Sequence, residues 1–151
     1  MNRRWLLMLL GLLALPAWAA DTGQLLLAAA GLGQERQVVA LLAQGADANV
    51  KNVAGRPALV LAAFNGNART LKALLAAGAD VNAVDGAGNS ALMDAAAFGH
   101  RAAVEALIQA GADVNLKNKA NMAALKRASL GGHTEVIKLL EAAGATEGGD
   151  G

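Results

Sequence analysis

The sequence predicts an all-α solenoid made of four similar helix-turn-helix units. A phrase of Gly-Ala-Asp, a small apolar residue and Asn occurs three times, and a shortened Gly-Ala-Thr follows as a fourth copy. Each copy begins 33 residues after the one before it, at residues 45–49, 78–82, 111–115 and 144–146. A second set of glycines keeps the same interval: Gly33, Gly66, Gly99 and Gly132. Because two sets of positions share one period, the repeat belongs to whole structural units.

Residues 1–19 are predicted to be a cleaved secretory signal peptide that precedes the repeats. Arg3 and Arg4 supply a positive start, residues 5–15 form an apolar stretch, and Ala-Trp-Ala at residues 17–19 is a small-x-small cleavage site. The alternative is a membrane anchor, but about eleven apolar residues are fewer than the roughly 20 that a spanning helix needs. We expect cleavage after Ala19 and a periplasmic location, with the Sec and twin-arginine routes both open.

Signal cleavage would change the charge of the protein. Of its 13 Lys and Arg residues, Arg3 and Arg4 would be lost, which leaves 11 basic against 12 acidic side chains. This balance gives no basic footprint for nucleic acid. The sequence contains no Cys, and therefore no disulfide. We expect a monomeric exported protein without stable membrane insertion after cleavage.

The units are predicted to span residues 20–51, 52–84, 85–117 and 118–145, followed by a flexible Gly-rich tail at 146–151. The third unit shows the elements in order. Turn residues at 85–88 precede Ser90, a favourable N-cap, and a short helix over 91–98 that Gly99 ends. A second helix follows from about 101 to 110, because its apolar residues recur at i, i+3 and i+4 and form one face.

Glycine and turn residues are predicted to end each unit. A glycine in a left-handed conformation can end each second helix, and the Asp and Asn after it can bond nearby backbone amides in the next turn. Alanine pairs at residues 29–30, 62–63 and 95–96 let neighbouring first helices approach closely.

In the last unit polar residues replace Met93, Asp94 and Ala96 of the third, which predicts a polar C-terminal end: Lys126, Arg127 and Ser129. The apolar run at residues 25–30 leaves two alternatives for the first unit, a cover formed by the preceding segment or a contact surface.

The third unit resembles an ankyrin repeat. The resemblance is carried by Gly-x-Ser-Ala-Leu-Met-x-Ala-Ala at residues 88–96, by Gly99-His100, and by the phrase at 111–115, and it covers about residues 22–145. No unit has the full Thr-Pro-Leu-His motif of the family. The hydrogen-bond network that this His normally builds in the family is therefore in doubt for this chain, but the fold is not.

Two loop motifs are interpreted as structural turns. Residues 86–91 fit the dinucleotide pattern Gly-x-Gly-x-x-Ala, yet the repeat places them at a surface turn without the strand that a phosphate cradle needs. Residues 80–86 resemble the start of a calcium loop, but the third acid is one place late and Ala91 stands where a bidentate Glu is required. Neither motif is expected to bind a cofactor or a metal.

The remaining candidates for chemistry are few. His100 and His133 lie 33 residues apart and could share a metal, but no Cys or carboxylate cluster joins them, so they are interpreted as structural. Ser90 is better explained as a helix cap than as a nucleophile. The sequence therefore predicts no enzyme and no cofactor.

The ankyrin resemblance implies that the turns project as fingers and that the first helices form a concave wall, where a protein partner binds. Mapped onto this chain, the finger residues predicted to contact the partner are Arg56, Asn89, Lys119 and Met122. The wall residues predicted to do so are Leu32, Phe64, Asn65, Ala97, Phe98 and Leu130. Four of these are large and apolar, Leu32, Phe64, Phe98 and Leu130. They form either an exposed stripe that binds a partner or ordinary core against neighbouring helices.

The sequence thus predicts an exported, non-catalytic module that binds a periplasmic protein. It resembles periplasmic ankyrin proteins associated with catalase, which implies a role in peroxide defence. The alternative is an immunity or inhibitor protein that blocks a toxic effector with its concave face. An enzyme or haem carrier is disfavoured because the chain lacks Cys, Tyr and a polar catalytic cluster.

Overall fold

The computed structural model describes residues 22–148, and this part of the chain contains eight α-helices. They are α1 (Thr22–Leu32), α2 (Glu35–Ala43), α3 (Ala58–Phe64), α4 (Ala68–Ala76), α5 (Ala91–Ala97), α6 (Arg101–Gln109), α7 (Ala124–Gly131) and α8 (Thr134–Ala142). The helices form four consecutive pairs, which confirms the predicted all-α solenoid. The predicted signal peptide, any cover that the segment before α1 provides, and residues 149–151 of the predicted tail lie outside the described residues.

The pairs stack in two layers. The odd-numbered helices pack on one another as an inner layer, and the even-numbered helices pack behind them as an outer layer. The alanine pairs at 29–30, 62–63 and 95–96 are buried, as expected for close helix approach. Where the family motif has His, the first three units bury Leu27, Val60 and Met93 in the core, and the fourth unit has the exposed Lys126. In the first three units apolar packing therefore stands in place of the missing histidine network.

The outer helices are amphipathic, and each of them turns one apolar stripe towards the inner layer. The main buried residues of these stripes are Val38 and Leu41, Leu71 and Leu74, Val104 and Leu107, and Val136 and Leu140. A single pair buries too little apolar surface to fold alone, so stability comes from stacking pair on pair.

Glycine ends each outer helix, as the sequence predicts. Gly45, for example, has φ 92°, a left-handed conformation that L side chains rarely adopt, and the following Ala46 N–H donates to the Leu41 carbonyl. The same arrangement recurs at Gly78, Gly111 and Gly144. The chain therefore leaves each outer helix in one fixed direction.

The Asp and Asn after this glycine connect successive units. The Asp47 carboxylate accepts the Asn49 N–H at 2.8 Å, which is the local bond expected from the sequence. The Asn49 side-chain oxygen then accepts the Asp80 N–H of the next unit at 2.7 Å. In the same way, the side-chain oxygen of Asn82 accepts the Asp113 N–H, and that of Asn115 accepts the Thr146 N–H. The repeated phrase is thus also a hydrogen-bonded ladder along the stack.

Each finger is a tight turn that leads into an inner helix. In the second finger the Asp85 carboxylate accepts the N–H groups of Ala87 and Asn89 at 3.0 and 2.9 Å. Ser90 follows, and its hydroxyl accepts the Met93 N–H at 3.3 Å, which confirms the predicted N-cap of α5. The fingers are therefore tight turns closed by side-chain to backbone bonds.

The glycine after an inner helix is covered by a side chain of the next unit. Gly66 has φ 73°, and a Cβ added there would lie 2.7 Å from Nδ1 of His100. Nε2 of His100 donates to the Phe64 carbonyl at 3.0 Å, and His133 makes the equivalent bond to Ala97 at 2.9 Å. These contacts support the structural interpretation of the two histidines.

Candidate functional site

Leu25, near the start of α1, is exposed, and four further large apolar side chains are exposed at the ends of the inner helices. These four occupy one of the two positions before the glycine that follows each inner helix, and we call them the apolar row. Their exposed fractions are 72% for Leu32, 38% for Phe64, 48% for Phe98 and 69% for Leu130. The structure therefore places these four side chains at the surface and not in the buried core.

The centre of the apolar row is aromatic. The rings of Phe64 and Phe98 pack edge to face with centroids 4.8 Å apart. The backbone at Phe64 is fixed in turn by the hydrogen bond that its carbonyl accepts from His100. The two rings thus form one packed aromatic surface at the centre of the row.

Arg56 folds back from the first finger onto this pair. Its guanidinium carbon lies 5.3 Å from the centroid of the Phe64 ring, which is cation–π distance. Its Nη2 is 3.8 Å from Oδ2 of Asp85, and 33% of the side chain is exposed. The structure thus brings one of the predicted finger residues to the apolar row.

The other predicted contact residues have varied surroundings. The Asn65 amide donates to the Gly31 carbonyl at 3.0 Å, so it links α3 to the preceding unit although it is exposed. Asn89 is half-buried, and its side-chain oxygen accepts bonds from Asn118 and Arg127. Ala97 and Met122 are half-buried as well, and Lys119 is exposed on the third finger.

A buried ion pair that the sequence analysis missed joins α5 to α7. Nη1 of Arg127 donates to Oδ1 of Asp94 at 2.8 Å, and the two side chains are 19% and 4% exposed. The prediction that Arg127 belongs to a polar C-terminal end is wrong for this residue, because it reaches back into the third unit. The pair could have been found from the sequence, because the two residues have opposite charges and lie one 33-residue period apart. Residues at this spacing lie side by side when successive units stack.

The two oxygens of the Asp94 carboxylate have different surroundings. Oδ2 is buried and has no hydrogen-bond partner among the described residues. Burial raises the pKa of Asp94 above its ordinary value of 3.8, and the bond and charge of Arg127 oppose this increase. The charge of Arg56 also lowers the pKa, and that of Asp85 raises it. Arg127 is thus the main group that favours the ionised form of Asp94.

The calcium-like and nucleotide-like stretches lie in turns of the stack. The Oδ1 atoms of Asp80 and Asp85 accept backbone N–H groups within their own turns. Residues 86–91 form the tip of the second finger and the start of α5. Within residues 22–148, no group of three or more His, Asp or Glu residues could hold a metal ion. Over the same residues, no helix has both the length and the apolar character needed to span a bilayer.

The comparisons with known proteins agree with this architecture. A family model described as ankyrin repeats (3 copies) matches residues 25–118, more than half of the chain. The fourth helix pair, α7 and α8, follows the matched region. No curated protein matched the sequence. Ankyrin repeats are protein–protein interaction modules, and the family is typically non-catalytic. This chain belongs to the ankyrin repeat family.

Proposed function

We propose that this chain is an exported, non-catalytic module that binds a protein partner in the periplasm through the apolar row and the fingers. The observation that carries the proposal is the apolar row itself, in which each of the four units places one exposed large side chain at the end of its inner helix. Phe64 and Phe98 touch each other at the centre of the row, and exposed apolar surface with aromatic anchors is typical of interaction sites in proteins. Both phenylalanines of the chain lie in this row.

Export is supported by the sequence of residues 1–19, with its positive start, short apolar stretch and small-x-small site. Peroxide defence is the role that the resemblance to catalase-associated periplasmic ankyrin proteins supports. Peroxide sensitivity of a deletion strain would favour that role. Killing of the deletion strain by sibling cells would favour an immunity protein instead.

The double variant Phe64→Ala/Phe98→Ala tests the binding surface. We expect it to unfold cooperatively and to keep its helical circular dichroism, because neither side chain belongs to the buried core cluster. Capture of the partner by the tagged chain from its native periplasm should fall by about tenfold or more, since two aromatic anchors are lost. The measurement is the amount of co-eluting protein per amount of bait.

Val39→Ala is the matched control, because Val39 is 50% exposed but lies on the outer helix α2. It should leave capture unchanged. Unchanged capture by the phenylalanine double variant, or loss of its helical signal, would count against the proposal.

A further inference from the structure

Arg56 is a partly exposed guanidinium whose side chain donates no hydrogen bond to any residue in 22–148. Its nearest carboxylate oxygen, Oδ2 of Asp85, is 3.8 Å away, which is beyond hydrogen-bond distance. A guanidinium has five N–H donors and prefers to place two of them on one carboxylate. One third of the side chain is exposed, so these donors can be reached from outside.

Asp85 is held where it cannot fill these donors. Its Oδ1 accepts the N–H groups of Ala87 and Asn89 at 3.0 and 2.9 Å and so fixes the carboxylate inside the second finger. The side chain is only 8% exposed. Only Oδ2 of Asp85 lies within ion-pair distance of Arg56, and Oδ1 is engaged by the backbone of the finger.

Arg56 is positioned from two other directions. Its backbone N–H donates to the Asn52 side chain at 2.9 Å, and its guanidinium carbon lies 5.3 Å from the Phe64 ring centroid. Phe64 in turn packs on Phe98. An anion bonded to Arg56 would therefore lie beside the aromatic pair, where a neighbouring apolar group could be buried.

The surrounding surface favours an acidic partner. Across the finger turns, taken as residues 52–57, 85–90 and 118–123, and the described inner helices, the only carboxylates are Asp85 and Asp94, whose side chains are 8% and 4% exposed. The basic residues of the same segments are all more exposed: Arg56, Lys119, Lys126 and Arg127. The outer helices, in contrast, carry charges of both signs. Within these segments no exposed carboxylate would repel an incoming one, although Asp80 and Asp113 are exposed in the loops that precede the second and third fingers.

We propose that the docking segment of the partner carries a carboxylate next to a large apolar side chain, and that Arg56 binds this carboxylate while the apolar side chain covers Phe64 and Phe98. The inference rests on the proposed function, and it adds the chemistry of the partner. The occupant is a protein segment with Asp, Glu or a terminal carboxylate at its contact point.

A phage-displayed library of random linear peptides, selected on the folded full chain, tests this inference. We expect the enriched peptides to carry Asp or Glu near Phe, Trp, Leu or Met more often than the unselected library does. Synthetic copies, measured by calorimetry, should bind Arg56→Gln about tenfold more weakly than the unchanged chain. Arg56→Lys, which keeps the charge but not the planar fork, should give an intermediate loss.

A change in the peptide tests the same contact without altering the protein. Replacing the acidic residue of the peptide by its amide should weaken binding to the unchanged chain and have little further effect on Arg56→Gln. Arg69→Gln is the matched control, because Arg69 is an exposed outer-helix arginine 3.9 Å from Glu35. It should bind the peptides normally.

The outcomes separate this inference from the proposed function. Peptides that lose affinity for Phe64→Ala/Phe98→Ala but not for Arg56→Gln would overturn the inference and leave the proposed function in place. Enriched peptides without an acidic excess, or an oligonucleotide or fatty acid that binds at Arg56 in place of peptides, would also overturn it. Absence of any peptide that needs the apolar row would contradict both.

Discussion

Arg127→Leu is expected to lower the free energy of unfolding by about 3 kcal/mol at neutral pH, since it leaves the buried Asp94 carboxylate without its ion-pair partner. The bond it removes is the 2.8 Å contact between α5 and α7. Leucine is a suitable replacement because Leu61 occupies the equivalent position of α3, 66 residues earlier. Urea denaturation followed by circular dichroism measures the loss.

The same variant should become more stable in mild acid than at neutral pH. Burial already raises the pKa of Asp94, and Arg127 opposes this increase through its hydrogen bond and its charge. In the variant both of these contributions are lost. The charge of Arg56, which lowers the pKa, and that of Asp85, which raises it, remain. The folded variant therefore binds a proton at pH values where the unfolded chain does not. A raised folded-state pKa gives stability that is present at low pH and lost as pH rises through that pKa. The deficit relative to the unchanged chain should thus widen towards neutral pH.

Asp94→Leu/Arg127→Leu is the control. Replacing both members of a buried ion pair by apolar side chains is often neutral or stabilising, so the double variant should recover most of the loss and show little of this pH dependence. A single variant as stable as the unchanged chain, or a double variant less stable than Arg127→Leu alone, would contradict this interpretation of the pair.

Gly66→Ala is expected to cost about 3 kcal/mol, from a strained left-handed backbone and displacement of the His100 ring. Gly66 has φ 73°, and the added Cβ would lie 2.7 Å from Nδ1 of His100. Moving the ring would break its hydrogen bond to the Phe64 carbonyl. Thermal and urea unfolding of the purified variant measure the cost.

Gly78→Ala separates the two contributions. Gly78 also has a left-handed φ, 92°, but a Cβ there would meet no atom within 4 Å. It should therefore cost only about 1 kcal/mol, the backbone contribution. Equal costs for the two variants would show that the His100 ring does not constrain Gly66.

The sequence was sufficient to predict features that lie within one unit. The helix-ending glycines, the Ser90 cap and the buried alanine pairs depend on local propensity and on the 33-residue period, and all are present in the structure. The bonds between units were missed. The Asn49 bond to Asp80 and the Arg127 bond to Asp94 join residues 31 and 33 positions apart, so they form only when successive units stack.

The candidate site was predictable in its composition but not in its exposure. The four apolar residues could be found by their period, yet the sequence could not distinguish a stripe from a core, because exposure depends on how the helices pack. Arg56 was assigned to the finger as a partner contact, but its position on the Phe64 ring depends on the fold of the finger. Asn89 was also predicted to be a finger residue that contacts the partner. Its side-chain oxygen instead accepts hydrogen bonds from Asn118 and Arg127, which form only because the next unit stacks on it.

Site-specific photo-crosslinking in intact cells tests most directly whether the apolar row is the binding surface. The variant Phe98→p-benzoylphenylalanine places the reactive group in the row, and the same residue in place of Val39 places it on the outer helix α2. The proposed function predicts a covalent adduct of defined mass from position 98, which is lost when the wild-type chain is supplied in excess, and little or none from position 39. An adduct from position 39 with none from position 98 would contradict it.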